Sequence, residues 1–298
     1  MGIIGAGALG LTFAAALAPV HDVIVLARRS DVADAVNRDG VIVETDAGGH
    51  AVPVRATVDP CELGDRAAWI VAVKAYATRD ALTTLRAALT PDLLVASVQN
   101  GIDFMADATV ALGGRARLAA GSTTQGAIGR GANRVRPVGR GETLFGRVDP
   151  PGTSAGALVD AFTGAGLAAR VVDDVQAVLW KKLVVNAAIN PLGALTGRPN
   201  GAIADDPDLR ALGTALADEA ASVAAAEGSA VRDAWPLVEA TARATAANRN
   251  SMLQDLDAGR RTEIDAISGA IVRRAATHGI PVPATRTVLR LVRARSGR

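Results

Sequence analysis

The sequence predicts an α/β N-terminal domain built on a parallel sheet, over residues 1–172, followed by an all-α C-terminal domain over residues 173–298. Two observations lead to this prediction. In the first part, short β-branched runs alternate with helical segments, an order that produces parallel strands joined by crossover helices. Beyond Asp173 no segment has the composition of a strand, and apolar residues recur at helical spacing.

The first domain begins with a strand, a helix and a strand: "GII" at 2–4, "LGLTFAAALA" at 9–18 and "DVIVLAR" at 22–28. Further strands are predicted at 41–44, 52–56, 69–73, 93–98 and 118–122. The segments "NRVRPV" and "ETLFG" predict antiparallel additions to the edge of this sheet, and "AARVV" at 168–172 completes the domain. The second domain is predicted to consist of helices at 180–201, 207–227, 234–248, 262–278 and 284–295.

Composition narrows the functional class. Basic and aromatic residues do not alternate in any stretch, and aromatic residues make up only 3% of the chain, so no nucleic acid partner is expected. No run of eighteen apolar residues occurs, so no membrane insertion is expected. Cys61 is the single cysteine, which favours a reducing, cytoplasmic location. His21, His50 and His278 lack metal-ligand spacing, and no metal is predicted.

The segment "GAGALG" at 5–10 predicts dinucleotide binding in a Rossmann-type domain, because it follows a strand and opens a helix. Gly5 would make the tight turn, Gly7 would let a pyrophosphate approach the backbone, and Gly10 would let the helix pack on the strand. A purely structural glycine turn is the alternative. The remaining loop positions expected to contact the cofactor are Ala6, Ala8 and Leu9.

The end of the second strand predicts NADP rather than NAD. An acidic residue there would bind the ribose 2′-hydroxyl of NAD, whereas this sequence has Ala27, Arg28 and Arg29, which suit a 2′-phosphate. Exposed surface charges are the alternative reading of both arginines. Lys74 and Asn100 follow two other apolar strands, at the carboxyl edge where such sheets hold ligands. A surface charge and a simple turn are the respective alternatives.

Lys182, Asn186 and Asn190 form a polar seam in an otherwise apolar helix, because residues four apart share one helical face. Only three lysines occur among 32 basic residues, which suggests that each does something arginine cannot. A desolvated lysine can protonate the alkoxide that forms when a ketone is reduced. Alternatively, Lys182 extends into solvent and the asparagines satisfy backbone groups. For Glu263, the spacing favours an exposed acid near the start of a helix over a buried, paired carboxylate.

Taken together, several motifs resemble the ketopantoate reductase (2-dehydropantoate 2-reductase) family. These are GAGALG, K-A at 74–75, Q-N-G at 99–101, W-K-K-L-x-x-N-x-x-x-N-P-L at 180–192, P-N-G at 199–201, S-M-L-Q-D at 251–255 and T-E-I-D at 262–265. The resemblance implies transfer of hydride from NADPH to 2-dehydropantoate, giving pantoate for coenzyme A synthesis.

The resemblance also implies roles for individual residues. Lys182 would be the proton donor, and Glu263 would hold the substrate hydroxyl and neighbour the cofactor. Arg28 and Lys74 would serve the adenosine 2′-phosphate, while Asn100 and the backbone near Ala127 would contact the nicotinamide side. The implied substrate-binding set is Asn100, Asn186, Asn190, Asn200 and Asn248, with Ser251 on the carboxylate.

Two other functions stay open: reduction of another branched 2-oxo acid with the same acid and cofactor, and an NADP-binding sensor without turnover. The alanine-rich helical domain is also compatible with a homodimer.

Overall fold

The structure, a computed structural model, describes residues 1–86, 89–90, 93–139, 141–149 and 155–296. The chain divides into two compact units. The first consists of Met1–Gln99 and Phe104–Val175, and the second of Asn100–Asp103 and Gln176–Arg298. The α/β order followed by helices is as predicted, whereas the transfer of the short segment Asn100–Asp103 to the helical unit is not foreseen. The prediction that residues 1–172 form an NADP-binding domain and residues 173–298 a substrate-binding domain stays a prediction.

The strands of the described ranges are β1 (Gly2–Ile4), β2 (Ile24–Leu26), β3 (Val41–Thr45), β4 (Gly48–Val52), β5 (Arg55–Thr57), β6 (Ala68–Val71), β7 (Leu94–Ser97), β8 (Arg117–Ala119), β9 (Gly121–Thr123), β10 (Gly126–Gly129), β11 (Arg134–Val138), β12 (Glu142–Phe145) and β13 (Ala168–Val171). The α-helices are α1 (Ala8–Leu17), α2 (Ser30–Asp39), α3 (Thr78–Leu85), α4 (Phe104–Leu112), α5 (Gly156–Gly164), α6 (Val175–Thr196), α7 (Ala202–Asp205), α8 (Pro207–Ala226), α9 (Ala234–Ala244), α10 (Ser251–Asp257), α11 (Ser268–His278) and α12 (Pro283–Arg295).

Six parallel strands form the central sheet of the first unit, in the order β5-β2-β1-β6-β7-β8. Counted along the sheet's own strands this order is 3-2-1-4-5-6, the arrangement of dinucleotide-binding folds. Neighbouring residues of one strand enter different apolar clusters: Ile3 packs with Phe13 and Phe162, while Ile4 packs with Trp69. Both faces of the sheet are therefore buried, which explains why its strands are apolar throughout.

Two smaller sheets correct the prediction for "NRVRPV" and "ETLFG". Strand β11 lies in a four-stranded sheet, β10-β11-β3-β4, and β12 lies in a three-stranded sheet, β13-β12-β9. Each pairs antiparallel with one neighbour and parallel with the other, and neither extends the central sheet. Strand β10 and most of β4 are absent from the sequence prediction because their segments are rich in glycine, which is depleted in strands.

Two predicted strands are each divided in the structure. The one at 52–56 is split between β4 and β5, with Pro53, which has no amide hydrogen, in the gap. The one at 118–122 is split between β8 and β9, where a side chain at Gly121 would start 2.4 Å from the Ser97 carbonyl oxygen. The chain leaves the six-stranded sheet after β8 and enters the three-stranded sheet with β9, which begins at Gly121.

The helical unit departs from the predicted boundaries in one region that matters for the site. The helix predicted at 262–278 begins only at Ser268, and the preceding residues form turns with amides of Ala266 and Ile267 bonded to the Glu263 carbonyl oxygen. A separate short helix, α10, lies upstream. Within the described ranges, no helix is long and apolar enough to cross a bilayer, and no cluster of three or more acidic, histidine or cysteine side chains could hold a metal.

Candidate active site

The glycine-rich loop joins β1 to α1 at the centre of the parallel sheet. Gly5 has a φ of +110°, and a Cβ there would lie 2.9 Å from the Val73 amide nitrogen, after β6. A Cβ at Gly10 would lie 2.0 Å from the Gly5 carbonyl oxygen. Any side chain at Gly5 or Gly10 would collide with backbone atoms, because β1, β6 and α1 approach one another closely at this end of the sheet.

Gly7 differs from the other two glycines because a Cβ there would meet nothing within 4 Å. It precedes α1 as the N-cap residue, no side chain caps the helix, and no acidic residue occupies its first turn. Such a helix N-terminus attracts a phosphate group through its free amides and its dipole. The open space and the uncapped amides, with half-buried Ala6, Ala8 and Leu9 around them, fit the pyrophosphate of a dinucleotide.

Arg28 and Lys74 lie after β2 and β6, on either side of β1. Arg28 is exposed and makes no ion pair with any residue that the structure describes, whereas its neighbour Arg29 pairs with Asp31. Lys74 is half-buried and begins a short 3-10 turn over Ala75–Ala77. Arg28 is therefore the arginine of this dipeptide that is available for a ligand.

Gln99 supports the turn that carries Lys74, a role that the sequence does not reveal. Its side-chain nitrogen donates to the Val73 carbonyl oxygen and to the Thr78 hydroxyl, both at 2.8 Å. The Gln99 side-chain oxygen accepts from the Ser97 hydroxyl at 3.1 Å. The glutamine is buried and nearly saturated with hydrogen bonds, so it fixes the backbone just before Lys74.

Ala127 lies in β10 and pairs with Pro137 of β11. At the end of the same strand, a Cβ at Gly129 would lie 3.8 Å from the Ala8 Cβ. Strand β10 therefore runs beside the glycine-rich loop, and Ala127 is half-buried within the same unit as that loop.

In the second unit, α6 carries the predicted polar seam. Asn190 is buried, Lys182 and Asn186 are half-buried, and the adjacent Lys181 is exposed. Desolvation lowers the pKa of Lys182 to about 8, and the negative charge of Glu263 opposes part of that shift. Lys182 therefore does not simply extend into solvent, and its ammonium lies within the electrostatic reach of a carboxylate.

Glu263 is buried and lies in the turns that precede α11. The Asn100 side-chain nitrogen donates to its Oε2 at 3.0 Å. The prediction of an exposed acid at the start of a helix is wrong, because the chain does not enter the helix until five residues later. Asn100, Lys182 and Glu263 thus come together in one unit, although 163 residues separate the two hydrogen-bonded side chains.

The other predicted substrate residues lie near the end of α6 and the start of α10. Asn200 is buried; its side-chain nitrogen donates to the Thr245 hydroxyl at 2.9 Å, and its amide donates to the Asn248 carbonyl oxygen at 3.0 Å. Asn248 itself is exposed, as is Ser251 in the first turn of α10.

Asn250 lies beside the predicted residue Asn200 and is not among the residues predicted from the sequence. It caps α10 by accepting from the Leu253 amide at 3.0 Å, and its nitrogen lies 3.4 Å from the Asn200 side-chain oxygen. A Cβ at Gly193 would lie 2.3 Å from that nitrogen, so a larger residue there would displace the Asn250 side chain. An asparagine directly before a helical segment was the available signal.

Comparison with known proteins places this geometry in a family. The family model described as "Ketopantoate reductase PanE/ApbA" matches residues 1–150, and the model for its C-terminal part matches residues 174–296. The chain belongs to the ketopantoate reductase family. The family resemblance predicted from the motifs is thereby confirmed, and so is the order of a Rossmann-type domain followed by a helical one.

Individual members of the ketopantoate reductase family match over almost the whole chain. A 2-dehydropantoate 2-reductase of Archaeoglobus fulgidus is 35% identical over 98% of this chain and 96% of its own length. The crystal structure of a ketopantoate reductase from Ralstonia eutropha covers 100% of this chain and 99% of its own at 32% identity, with a TM-score of 0.91. A D-mandelate dehydrogenase solved with NADH and anilino(oxo)acetate shares the fold, with a TM-score of 0.92 over 100% of this chain and 98% of its own, at 22% identity.

Proposed function

We propose that this chain is a 2-dehydropantoate 2-reductase that reduces the 2-oxo group of 2-dehydropantoate to give pantoate, with NADPH as the hydride donor. The observation that carries the proposal is Lys182, whose pKa is lowered to about 8 by burial, within the electrostatic influence of the buried Glu263 carboxylate in the helical unit. When bound, the nicotinamide ring supplies the hydride to the carbonyl carbon. The chain's own residues supply a proton and hold the substrate.

Lys182 donates the proton to the carbonyl oxygen as that oxygen gains negative charge. With a pKa of about 8, most Lys182 side chains carry the proton at pH 7, yet the ammonium is acidic enough to release it to an alkoxide. An arginine could not do this, because its guanidinium does not lose a proton near neutral pH. The carboxylate of Glu263 helps to keep the lysine charged despite its burial.

The remaining polar side chains orient the substrate. We assign the substrate hydroxyl to Glu263, whose Oε2 accepts from the Asn100 side chain, and the substrate carboxylate to Ser251. Substrate orientation is assigned to Asn186, Asn190, Asn200 and Asn248, and the nicotinamide side to Asn100, Glu263 and the backbone at Ala127. The glycine-rich loop from Gly5 to Gly10 binds the pyrophosphate.

The cofactor is a nicotinamide dinucleotide, and the choice of NADPH rests on Arg28 and Lys74. Arg28 is exposed next to the end of β2, where a ribose would lie, and the residues directly after that strand, Ala27, Arg28 and Arg29, include no acid that would bind the 2′-hydroxyl of NAD. Charge-assisted hydrogen bonds to a phosphate are about twice as strong as neutral ones. The 2′-phosphate is therefore the part of the cofactor that Arg28 recognises.

Replacement of Arg28 by alanine is expected to raise the Kd of NADPH about tenfold or more and to leave the Kd of NADH nearly unchanged. Titration of the intrinsic fluorescence of each reduced cofactor measures both constants. Arg29→Ala is the matched control and should have a much smaller effect, because Arg29 is already paired with Asp31. Equal losses of affinity for NADPH and NADH would contradict the assignment of Arg28 to the 2′-phosphate.

The pH dependence of turnover follows from the lysine. Because the protonated form is the donor, kcat for reduction should be constant below the Lys182 pKa and fall about tenfold per pH unit above about pH 8. The expected descending limb is measured by NADPH oxidation under saturating substrates between about pH 6 and pH 10. A kcat that stays level to about pH 10 would rule out Lys182 as the proton donor.

The direct test of function is NADPH oxidation on addition of 2-dehydropantoate, compared with NADH at equal concentration. A panel of branched 2-oxo acids decides the substrate, and trimethylpyruvate is the sharpest comparison because it lacks only the hydroxyl. Equal kcat/KM for these two compounds would favour reduction of another branched 2-oxo acid. NADPH binding without any oxidation would favour a sensor.

A cytoplasmic location and a homodimer stay parts of the proposal, to be tested by fractionation and by light scattering.

A further inference from the structure

The segment Asn100–Asp103 belongs to the helical unit although the chain on both sides of it belongs to the first unit. It lies between β7 and α4 and approaches the turns that contain Glu263. Its first residue, Asn100, makes the hydrogen bond to Glu263 described above. The residues that hold this segment in place therefore also determine how the Glu263 carboxylate is oriented.

Asp103, the last residue of the segment, bonds to two arginines of α11. Its Oδ2 accepts from Arg273 at 2.9 Å and its Oδ1 from Arg274 at 2.7 Å. The side chain of Arg274 is 23% exposed, against 56% for Arg273, so the Arg274 contact is the better shielded from solvent. Ion pairs with less solvent exposure are less screened and contribute more.

Arg274 is itself fixed from its other side. Its Nε lies 3.3 Å from Glu227 Oε2, and Glu227 Oε1 lies 2.7 Å from the His278 Nε2. The guanidinium is thus held between two carboxylates, so its position does not depend on Asp103 alone. It forms a fixed point on α11 to which the segment attaches.

Gly101 allows the middle of the segment to lie directly against the turns. Its φ of +96° suits glycine, and a Cβ there would lie 3.2 Å from the Ala266 carbonyl oxygen. The segment is therefore bonded at both ends, to Glu263 through Asn100 and to the two arginines through Asp103, and it lies close to Ala266 at Gly101.

We infer that Asp103 is a positioning residue whose ion pairs with Arg274 and Arg273 hold Asn100 against Glu263, and that it thereby sets the selectivity for a substrate hydroxyl. The second part rests on the proposed function, in which Glu263 binds that hydroxyl. A carboxylate oriented by a neighbouring amide is preorganised for its ligand, and loss of the orientation weakens the one contact that distinguishes 2-dehydropantoate from trimethylpyruvate.

The test is Asp103→Asn in the full chain, with Asp103→Glu as the conservative variant. Asp103→Asn should lower the ratio of kcat/KM for 2-dehydropantoate to that for trimethylpyruvate about tenfold, mainly through KM for 2-dehydropantoate. Turnover of trimethylpyruvate should fall much less than that of 2-dehydropantoate, because trimethylpyruvate has no hydroxyl for Glu263 to hold. Asp103→Glu should restore part of the ratio. Hydrogen exchange of a peptide spanning residues 99–104 should become about tenfold faster in Asp103→Asn. This measurement is made on the protein alone and does not depend on the identity of the substrate.

Glu239→Gln is the matched control. Glu239 also bonds to two arginines, Arg210 at 2.6 Å and Arg243 at 2.9 Å, and its side chain is 23% exposed against 30% for Asp103. Glu239→Gln should leave the ratio and the exchange of residues 99–104 unchanged. Equal falls for both substrates, or an unchanged ratio with unchanged exchange, would overturn the inference. A wild-type protein without preference for 2-dehydropantoate would overturn the proposed function instead, and faster exchange would still support the positioning by Asp103.

Discussion

Replacement of Lys182 by alanine is expected to lower kcat by about 100-fold or more while NADPH binding is retained. The variant lacks the proton donor, so the oxygen that gains negative charge must take its proton from water. The loss should appear in kcat rather than in the Kd of NADPH, because Lys182 lies in the helical unit and the glycine-rich loop lies in the first unit. Steady-state NADPH oxidation gives kcat, and fluorescence titration gives the Kd.

Lys181→Ala provides the matched control for this experiment. Lys181 is adjacent in sequence, exposed on the same helix and directed about 100° away from Lys182, so its loss should leave kcat within about twofold. An unchanged kcat in Lys182→Ala would eliminate the proposed donor. Absence of turnover in the wild-type protein, with NADPH bound, would instead point to the sensor function.

Gly10→Ala is expected to destabilise the first unit and to abolish most cofactor binding. The added Cβ would start 2.0 Å from the Gly5 carbonyl oxygen, so α1 has to move away from the glycine-rich loop that precedes it. Overpacking of this kind costs about 1–3 kcal/mol or more. The displaced helix also removes its amides from the pyrophosphate site, so the Kd of NADPH should rise about 100-fold.

Gly7→Ala separates the two consequences. A Cβ at Gly7 meets nothing within 4 Å, and its φ of −81° suits any residue, so the free energy of unfolding should change by less than about 1 kcal/mol. The same Cβ would occupy the space in which a pyrophosphate approaches the backbone, so NADPH affinity should still fall. Thermal unfolding and fluorescence titration of both variants measure the two quantities. A stable Gly10→Ala variant with normal NADPH affinity would contradict the close approach of α1 to the loop.

The sequence predicts the parallel sheet and the glycine-rich loop because both are local patterns. Strand spacing, the helix that follows GAGALG and the arginine after the second strand lie within about 30 residues of one another. The seam of Lys182, Asn186 and Asn190 is equally local, since a single helix brings the three residues together. Periodicity is sufficient for such features.

Features that depend on distant partners are not predictable in this way. The strands at 134–138 and 142–145 look like edge additions, but their partners are decided by which distant segments they meet. The burial of Glu263 depends on turns that replace the first part of a predicted helix. Its hydrogen bond comes from Asn100, which spacing alone interprets as a turn residue. The cap that Asn250 provides to α10 is a local feature that a sequence pattern can predict. Its contact with Asn200, 50 residues away, is not.

The assignment of Asn100–Asp103 to the helical unit has a consequence for synthesis of the protein on the ribosome. Asp103 precedes its partner Arg273 by 170 residues. At about 5–20 residues per second, this segment waits about 10–30 seconds for the helix that will receive it. The first unit therefore emerges with its chain interrupted by a segment that cannot yet be placed. Placement of that segment on α11 therefore has to follow synthesis of the chain through Arg274.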